Sequence, residues 1–348
     1  METGVEQEKS ATGASSDADA PPPAGDDAIQ SGAAAVRPDF RAGFVALCGR
    51  PNVGKSTLLN ALLGTELAVA SKLPQTTRER MLGVWTTDTF QAVLVDTPGI
   101  HRARSALNSY MVDEALRGAR DVDLILMLAE IPIVSDEETA SKWEPGPGAL
   151  AVLEALNKTG RPIGLVLTKL DRLPSSDLLL PIIHAWTQRS PFAFVVPTSA
   201  REQVGLERLS SELLKFLPQS PPLYDDDQLS DRAMRWHAGE RVRAAIFATL
   251  SQELPYSCAV TIESFKERPD KDVIKAAIHV ERESQKPILI GRKGKTVKTI
   301  STRARADIAR FTGRPCDLFV TIKVTRNWTK KPELLEKLGY HDPVGGES

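Results

Sequence analysis

A glycine-bracketed loop is the part of this sequence whose residue types and spacing point most directly to chemistry. Residues 49–57 read GRPNVGKST, and they follow an apolar run at 43–48 that predicts a buried strand. A strand, this loop and a helix beginning near Ser56 are together typical of a P-loop, whose backbone N–H groups surround a polyphosphate. We expect Lys55 to reach the β and γ phosphates and the Ser56 hydroxyl to bind Mg²⁺. The expected nucleotide contacts here are Gly49, Arg50, Pro51, Asn52, Val53, Gly54, Lys55, Ser56 and Thr57.

Three further segments, each after an apolar run, indicate a guanine nucleotide. The first is DTPG at 96–99, where the Asp96 carboxylate suits Mg²⁺ held through water and the Gly99 N–H suits the γ-phosphate. The second is TKLD at 168–171, where Asp171 is expected to accept hydrogen bonds from guanine while the Lys169 stem lies along the base. The third is TSA at 198–200, whose backbone is expected to contact the base carbonyl.

These segments are expected to form one site for GTP and GDP, because ligands bind at the carboxyl ends of strands in open α/β sheets. Beyond the P-loop, the expected nucleotide contacts are Asp96, Thr97, Pro98, Gly99, Ile100, Thr168, Lys169, Leu170, Asp171, Ser199 and Ala200.

A sheet has to bring these strand ends together. Apolar runs predict strands at 43–48, 80–87, 90–96, 124–128, 163–167 and 192–197, and helical patterns fall at 55–63, 106–118, 148–158, 176–188 and 205–217. The second and third strands are adjacent and predict a hairpin. The expected fold class is α/β, with a P-loop GTPase domain over residues 40–217 whose sheet is mixed and mostly parallel.

Composition limits the remaining possibilities. Residues 1–36 carry seven acids against Lys9, with many Ala, Gly, Ser and Pro, so residues 1–39 are predicted to be a disordered acidic tail. The tail fits neither a transit peptide nor a secretory signal. No apolar run approaches the roughly 18 residues of a membrane span. The cysteines, Cys48, Cys258 and Cys316, are widely spaced in apolar runs and are predicted to be reduced core thiols.

The second half of the chain predicts a different kind of domain. A Pro-rich and acidic stretch at 218–229 is expected to be a stiff linker, followed by a domain at 230–340 and a tail at 341–348. Residues 286–331 contain thirteen Lys and Arg and only two acids, a net charge of +11, which favours a nucleic-acid partner over a solvated helix face.

The tetrapeptide GRKG at 291–294 lies between an apolar run and a predicted helix at 295–311. With a helix at 231–252 and strands at 258–265, 273–283 and 317–324, this order matches an α+β KH domain, here of type II, whose GXXG loop approaches single-stranded RNA closely. The residues expected to bind RNA are Ile290, Gly291, Arg292, Lys293, Gly294, Lys295 and Lys298.

From about residue 43 to residue 340, the chain resembles the Era family of bacterial GTPases with a carboxyl-terminal KH domain. The shared segments are GRPNVGKSTLLN at 49–60, PQTTR at 74–78, DTPGIH at 96–101, TKLD at 168–171, ELPYS at 253–257, VERESQKPILIGRKG at 280–294 and LGY at 338–340. The resemblance implies binding to the 3′ end of small-subunit (16S) ribosomal RNA and a role in assembling the 30S subunit. It also implies a cytoplasmic monomer with possible peripheral contact at the inner membrane.

Three features depart from the family pattern. Thr168 stands where the family usually has Asn, so guanine selectivity is expected to survive with weaker affinity, because Lys169 and Asp171 remain. The stretch 135–148 is longer than usual and, with PGPG at its end, is predicted to be a loop without an assigned role. The acidic tail has no counterpart in the family and is expected to be a solubilising element.

Slow intrinsic hydrolysis is expected, because Ile100 occupies the position at which Ras-like switches place a water-orienting Gln. The Arg50 side chain is expected to point away from the phosphates. Asn52 has two open interpretations: a ligand for K⁺ that neutralises transition-state charge, or a turn residue that satisfies its own backbone.

Two switch segments are predicted, at 73–80 and 99–105. Thr76 or Thr77 is expected to reach Mg²⁺ when GTP is bound, and the family pattern favours Thr77. His101 is interpreted as a switch-loop surface residue rather than a base. The predicted catalytic residues are Asn52, Lys55, Thr77 and Gly99, and the predicted Mg²⁺ ligands are Ser56, Thr77 and Asp96.

Three functions remain open from the sequence. The first is a GTP-hydrolysing switch whose KH domain binds RNA. The second is a nucleotide-gated RNA-binding scaffold in which hydrolysis is incidental. The third is a GTPase whose basic domain docks a protein, which the +11 region and the GXXG loop disfavour.

Overall fold

The first half of the chain folds around a six-stranded sheet. The computed structural model describes residues 39–69, 78–100, 106–250 and 253–340. The strands are β1 (Arg41–Gly49), β2 (Met81–Thr86), β3 (Phe90–Asp96), β4 (Leu124–Glu130), β5 (Ile163–Thr168) and β6 (Phe194–Pro197), in the spatial order β2-β3-β1-β4-β5-β6. Only the β2–β3 pair is antiparallel, which confirms both the predicted hairpin and the mixed, mostly parallel sheet.

Helices cover both faces of this sheet. They are α1 (Lys55–Leu63), α2 (Ala106–Gly118), α3 (Glu137–Ser141), α4 (Pro147–Asn157), α5 (Leu179–Thr187) and α6 (Leu206–Leu214). Every residue of β3 and β5 is buried, as expected of parallel strands with helices on each side. One apolar cluster contains Ile125 and Trp186, and the other contains Leu47, Leu58 and Leu209. The strand order reverses at β1, so the crevice for a ligand opens beside the end of that strand.

The prediction of a loop over 135–148 is wrong in part. Helix α3 occupies Glu137–Ser141, and α4 begins at Pro147. A capping box starts α3: the Asp136 carboxylate accepts a 2.8 Å hydrogen bond from the Thr139 N–H, and the Thr139 hydroxyl accepts one from the Asp136 N–H. These bonds satisfy amides that the helix leaves without a partner.

The predicted linker at 218–229 runs along the first sheet and is bonded to it. The Ala42 N–H donates to the Pro218 carbonyl, and the Val84 N–H donates to the Leu229 carbonyl. The Gln91 side-chain oxygen accepts from the N–H groups of Leu223 and Tyr224 at 2.7 and 2.9 Å. These bonds tether the segment at several points, and the domain limits 40–217, 218–229 and 230–340 stay predictions.

The second half has its own sheet, made of β7 (Ala259–Glu267), β8 (Asp272–Val280) and β9 (Cys316–Val324). Strand β8 is central, antiparallel to β7 and parallel to β9. The helices are α7 (Met234–Thr249), α8 (Gln285–Ile290), α9 (Lys295–Thr312) and α10 (Pro332–Lys337). Val242, Ile274 and Ile300 belong to one apolar cluster between helices and sheet. A P-loop domain followed by a KH domain is thereby confirmed; the sequence had left α8 unassigned and extended β8 to residue 283.

The three cysteines are free and buried, in agreement with the prediction of core thiols. Burial raises the pKa of the Cys48 and Cys258 thiols to about 12, so both stay protonated. In the described ranges, no helix has the length and hydropathy needed to cross a bilayer.

Candidate functional site

The P-loop residues form a tight turn between β1 and α1. Gly49, Asn52 and Gly54 all have positive φ, of 155°, 64° and 104°. A Cβ added at Gly49 would lie 2.6 Å from the Leu128 carbonyl oxygen, so only glycine fits there. Asn is among the few residues that tolerate the left-handed region, which agrees with a turn role for Asn52 and leaves its role toward K⁺ open.

The Lys55 ammonium lies inside this turn. Its Nζ donates to the carbonyl oxygens of Gly49 at 3.4 Å and Arg50 at 3.2 Å, and the side chain is buried. Burial lowers the pKa of Lys55, and the nearby Asp96 carboxylate opposes that shift. A polyphosphate in the turn would stabilise the charged ammonium, as the predicted role of Lys55 requires.

The two predicted Mg²⁺ ligands in the described chain lie together. The Ser56 hydroxyl donates a 3.2 Å hydrogen bond to Oδ2 of Asp96, which is fully buried at the end of β3. A hydroxyl and a carboxylate oxygen are hard ligands that suit Mg²⁺. The third predicted ligand, Thr77, and the alternative Thr76 lie outside the described residues.

Residues 97–100 pack beneath the P-loop. The Thr97 hydroxyl donates to the Leu47 carbonyl at 2.7 Å, and the Ile100 N–H donates to the Gly49 carbonyl at 3.0 Å. Gly99 lies so close to the loop that an added Cβ would be 2.7 Å from the Pro51 nitrogen. Pro98 and the Ile100 side chain are buried. Ile100 belongs to an apolar cluster on one face of the sheet, and the slow hydrolysis expected from this residue type stays a prediction.

Thr168 holds the P-loop from the end of β5. Its hydroxyl donates a 2.6 Å hydrogen bond to the Val53 carbonyl, and the Ala129 carbonyl is 3.3 Å away. The Lys169 Nζ donates to the Asn52 carbonyl at 2.8 Å and forms an ion pair with Glu130. The structure therefore brings the predicted base-binding and phosphate-binding residues together.

Asp171 and Ser199 complete the side of the site expected to read guanine. The Ser199 hydroxyl donates a 2.6 Å hydrogen bond to Asp171 Oδ1. This bond lowers the pKa of Asp171, so the carboxylate that should accept from guanine is ionised at neutral pH. The Leu170 N–H donates to the Thr198 carbonyl, which holds the two loops together, and Ala200 comes directly after Ser199.

Of the predicted contacts on the phosphate side, Thr57 lies on α1 and is exposed.

The Arg50 side chain extends toward helix α4. An added Cβ at Gly148 would lie 3.1 Å from the Arg50 Nε, so the guanidinium group covers the start of α4. A cavity of about 210 Å³ opens beside it, lined by apolar residues that include Trp143 and Val152. The side chain thus lies against α4, and the expectation that Arg50 does not act on the phosphates stays a prediction.

The second predicted site is the GXXG loop between α8 and α9. Gly291 and Gly294 have positive φ of 73° and 74°, and Lys293 is left-handed at 52°. An added Cβ at Gly291 would lie 2.1 Å from the Thr296 hydroxyl oxygen, so this position requires glycine. The loop then passes directly into α9 at Lys295.

The cations of this loop face solvent. Arg292, Lys293, Lys295 and Lys298 are exposed, and in the ranges that the structure covers none of them forms an ion pair. Unpaired cations at a helix N-terminus suit the phosphates of a nucleic acid.

Apolar side chains beside the loop were only partly predicted. Ile290, which was predicted, is 37% exposed, whereas Ile288 at 58% and Phe319 at 55% were not. Helix α8 packs against β9, where Leu318 and Val320 belong to the same apolar cluster as Leu289, so the alternate residue Phe319 lies on the other face of the sheet. Ile288 and Ile290, in contrast, lie on the helix that leads into the loop, where exposed apolar groups beside unpaired cations suit contact with unpaired bases. An apolar residue three positions before the first glycine was the available signal for Ile288.

Comparisons with known proteins match both halves of the chain. Two family models match: one described as a 50S ribosome-binding GTPase at residues 44–169 and one described as a KH domain at residues 253–329. GTPase Era of Geotalea uraniireducens is 44% identical over 302 residues, which cover 86% of this chain and 98% of the relative. GTPase Era of Bordetella pertussis is 42% identical over 304 residues, with coverages of 87% and 99%.

Solved structures agree as well. A crystal structure of Era in complex with MgGDPNP and nucleotides 1506–1542 of 16S ribosomal RNA superposes with a TM-score of 0.80 at 34% identity, covering 86% of this chain and 99% of that one. An Aquifex aeolicus Era variant bound to GDP and AlF4⁻ gives a TM-score of 0.79 at 34% identity, with the same coverages.

Proposed function

The chain is a GTPase of the Era family, and we propose that it is a nucleotide switch that binds the 3′ end of 16S ribosomal RNA and assists assembly of the 30S subunit. The observation that supports this best is the presence, on one chain, of a P-loop site and an exposed GXXG loop with unpaired cations. The Era structure that matches 86% of this chain was crystallised with both a GTP analogue and that RNA.

For the nucleotide site, we propose that Ser56, Asp96 and Thr77 hold Mg²⁺. The 3.2 Å hydrogen bond between the Ser56 hydroxyl and Asp96 places two suitable oxygens side by side. The ion would bridge the β and γ phosphates and offset their charge. Guanine would be recognised by Asp171, whose carboxylate the Ser199 hydroxyl orients.

For hydrolysis, we propose that K⁺ bound at Asn52 supplies positive charge at the phosphates. This contribution matters here because the side chain at position 100 cannot orient the attacking water. Ile100 is buried in the apolar core and offers no hydrogen-bonding group for the attacking water. A monovalent cation at the P-loop would stabilise the charge that develops on the transferred phosphoryl group. Without it, hydrolysis would be slow.

For RNA, we propose that the GXXG loop approaches phosphates while Ile288 and Ile290 contact bases. Gly294 has no side chain, and the space where a Cβ would lie is open in the described chain, which allows close approach to the loop backbone. The description of the family model that matches the first domain names the 50S subunit, whereas the Era structure that matches both domains was crystallised with 16S RNA. We favour the 16S target because the latter match includes the RNA-binding half.

Single-turnover GTP hydrolysis, measured with and without an RNA spanning nucleotides 1506–1542 of 16S ribosomal RNA, tests the proposal. The switch predicts that this RNA speeds hydrolysis and that a 23S fragment of equal length does not. Binding of the RNA with no change in rate would favour the nucleotide-gated scaffold. Failure of the RNA to bind in either nucleotide state would favour a protein-docking domain.

The remaining proposals concern state and location. We propose a cytoplasmic monomer with peripheral contact at the inner membrane, on the strength of the family resemblance. Gel filtration with light scattering tests the monomer, and flotation with anionic vesicles in the GTP and GDP states tests the membrane contact.

A further inference from the structure

Arg78 joins the two halves of the molecule. It directly follows Thr77 in the first domain, yet its guanidinium group is buried among residues of the second. Nη1 donates to the Cys258 carbonyl at 2.8 Å and to the Tyr340 hydroxyl at 3.0 Å, and Nη2 donates to the Tyr256 carbonyl at 3.0 Å. A side chain one residue from a predicted Mg²⁺ ligand is thus held by the RNA-binding half.

The surroundings of Arg78 are neutral. Its guanidinium carbon lies 5.8 Å from the ring centroids of both Phe247 and Trp328. Within the described ranges, no carboxylate lies at ion-pair distance from it. Its charge helps burial to lower the pKa of the neighbouring Arg243 to about 10. A buried charge without a counterion is costly, so Arg78 depends on its hydrogen bonds to oxygen atoms of the second domain.

Tyr340 also contacts the segment downstream of the second predicted switch. Its ring stacks on Trp328 with centroids 5.7 Å apart, and it meets the edge of Tyr110, on helix α2, at 6.1 Å. Met111 of α2 belongs to the same apolar cluster as Trp328, Leu335 and Tyr340. The end of the second domain therefore contacts Arg78, within the first predicted switch segment, and Tyr110, downstream of the second.

Hydrogen bonds continue from this junction to the GXXG loop. The Trp328 indole N–H donates to the Ser257 carbonyl at 3.0 Å, and Ser257 lies between Tyr256 and Cys258, whose carbonyls accept from Arg78. The Ser257 hydroxyl accepts a 3.0 Å bond from the Gln285 amide. Gln285 is the first residue of α8, and α8 ends at Ile290, directly before Gly291 of the loop.

We propose that Arg78, Tyr340, Ser257 and Gln285, the interdomain relay, transmit the nucleotide state to the RNA-binding loop. The proposal rests on the proposed function, since it needs a chain that binds both GTP and RNA. Consecutive Cα atoms are about 3.8 Å apart, so a displacement of the backbone directly before Arg78 would act on the directional hydrogen bonds of its side chain. Arg78 binds the carbonyls of Tyr256 and Cys258, the two neighbours of Ser257. The Ser257 hydroxyl in turn accepts from Gln285, the first residue of α8.

Two substitutions test the relay. Tyr340→Phe removes the hydroxyl that accepts from Arg78 but keeps the ring, and Ser257→Ala removes the acceptor for Gln285. The readout is the ratio of the dissociation constants of the 1506–1542 RNA in the GDP state and in the state with a non-hydrolysable GTP analogue. We expect each substitution to bring this ratio about fivefold closer to one, as the loss of one hydrogen bond would allow. The double variant should show no more than the larger single effect, because both changes break one path.

Tyr256→Phe is the matched control. Tyr256 binds Arg78 through its carbonyl, and its hydroxyl makes no hydrogen bond within the described chain, so the ratio should stay at the wild-type value. GTP hydrolysis without RNA should change less than about twofold in all variants, since none touches the P-loop site. Thermal melting identifies a variant that fails to fold. In that case, the other single variant, Ser257→Ala or Tyr340→Phe, still tests the relay.

Unchanged ratios in both variants would overturn the relay, as would an equal effect of Tyr256→Phe or full additivity in the double variant. A wild-type protein that hydrolyses GTP and binds the RNA with a ratio of one would also overturn the relay, while the proposed function would stand. A wild-type protein without hydrolysis or without RNA binding would instead contradict the proposed function.

Discussion

The Thr168 hydroxyl donates a 2.6 Å hydrogen bond to the Val53 carbonyl, so the strand that carries the guanine-reading residues also holds the phosphate loop. Because a threonine hydroxyl has one proton, this bond leaves Thr168 no donor for the base. We therefore expect recognition of the base to come from Asp171, Lys169 and the loop at Ala200. This gives a physical reason for the prediction that guanine selectivity survives, with weaker affinity, when Thr replaces Asn.

Thr168→Val should lower GTP affinity about fivefold, because it removes one buried hydrogen bond and leaves the Val53 carbonyl without that donor. Titration with a fluorescent guanine nucleotide measures the change. Thr198→Val is the matched control: Thr198 is buried at the end of the neighbouring strand, and its hydroxyl has no hydrogen-bond partner in the described chain. Equal losses in the two variants would show that the Val53 bond has no special role.

Asp171→Asn should weaken GTP binding and admit xanthosine triphosphate. The carboxylate accepts from guanine, whereas the amide can donate to the carbonyl that xanthine has at that edge. Ser199 would still hold the side chain, because its hydroxyl can donate to the amide oxygen as it does to Oδ1. Competition of both triphosphates against labelled GDP measures the exchange, and unchanged GTP affinity would remove Asp171 from the site.

Much of this site is predictable because it depends on short-range pattern. The spacing of Gly49 and Gly54 fixes the P-loop turn, and the apolar runs fix the strands whose ends meet there. Arg78 was unpredictable for the opposite reason: its partners lie about 180 to 260 residues away, and nothing local marks a buried arginine. Helix α3 had a signal, Asp136 followed three residues later by Thr139, which the Pro-Gly repeat at 145–148 obscured.

Hydrolysis should be about tenfold or more faster in KCl than in NaCl at matched ionic strength, since K⁺ would act in place of an arginine finger. Asn52→Gly should remove most of the difference. Glycine keeps the positive φ of 64° at this position, so the variant loses the amide without straining the loop. Asn52→Asp, which retains an oxygen ligand, should keep the K⁺ effect. Equal wild-type rates in the two salts would leave Asn52 as a turn residue.

Acid should destabilise the fold through His237. Burial, followed by the nearby Arg241, lowers the pKa of His237 to about 4, from 6.5, and its ring lies between Trp236 and Phe311. The folded pKa is below the unfolded one, so the stabilisation is complete above pH 6.5 and is lost as the pH falls toward 4. At pH 5, the loss is about 2 kcal/mol.

Urea unfolding of wild type and His237→Phe at neutral pH and at pH 5 measures this contribution. The variant should lose about 2 kcal/mol less than wild type between the two conditions, because phenylalanine has no group to titrate. His184→Gln, at an exposed position, should follow the wild-type pH dependence. Parallel pH profiles for wild type and His237→Phe would contradict the assignment.

Charge reversal in the GXXG loop should separate RNA binding from GTP hydrolysis. Replacing Arg292 and Lys293 together by Asp puts two negative charges where the loop should approach phosphates, while Gly291 and Gly294 still allow the turn. Each lost contact is a salt-dependent attraction, and each new carboxylate adds repulsion. We expect RNA affinity to fall at least about tenfold, or about 1.4 kcal/mol, with basal hydrolysis unchanged and stimulation by RNA abolished.

The control for this last variant must change the net charge equally at a distance from the loop. Lys142→Asp with Lys158→Asp does so at exposed positions directly after helices α3 and α4 of the first domain, where each lysine belongs to a surface ion pair of small energy. Filter binding across a range of salt concentrations distinguishes the two: the loop variant should bind the 16S fragment with a shallower salt dependence, and the control should follow wild type. If the loop variant binds this RNA as tightly as wild type, the loop does not hold the RNA, and the KH fold serves some other purpose in this chain.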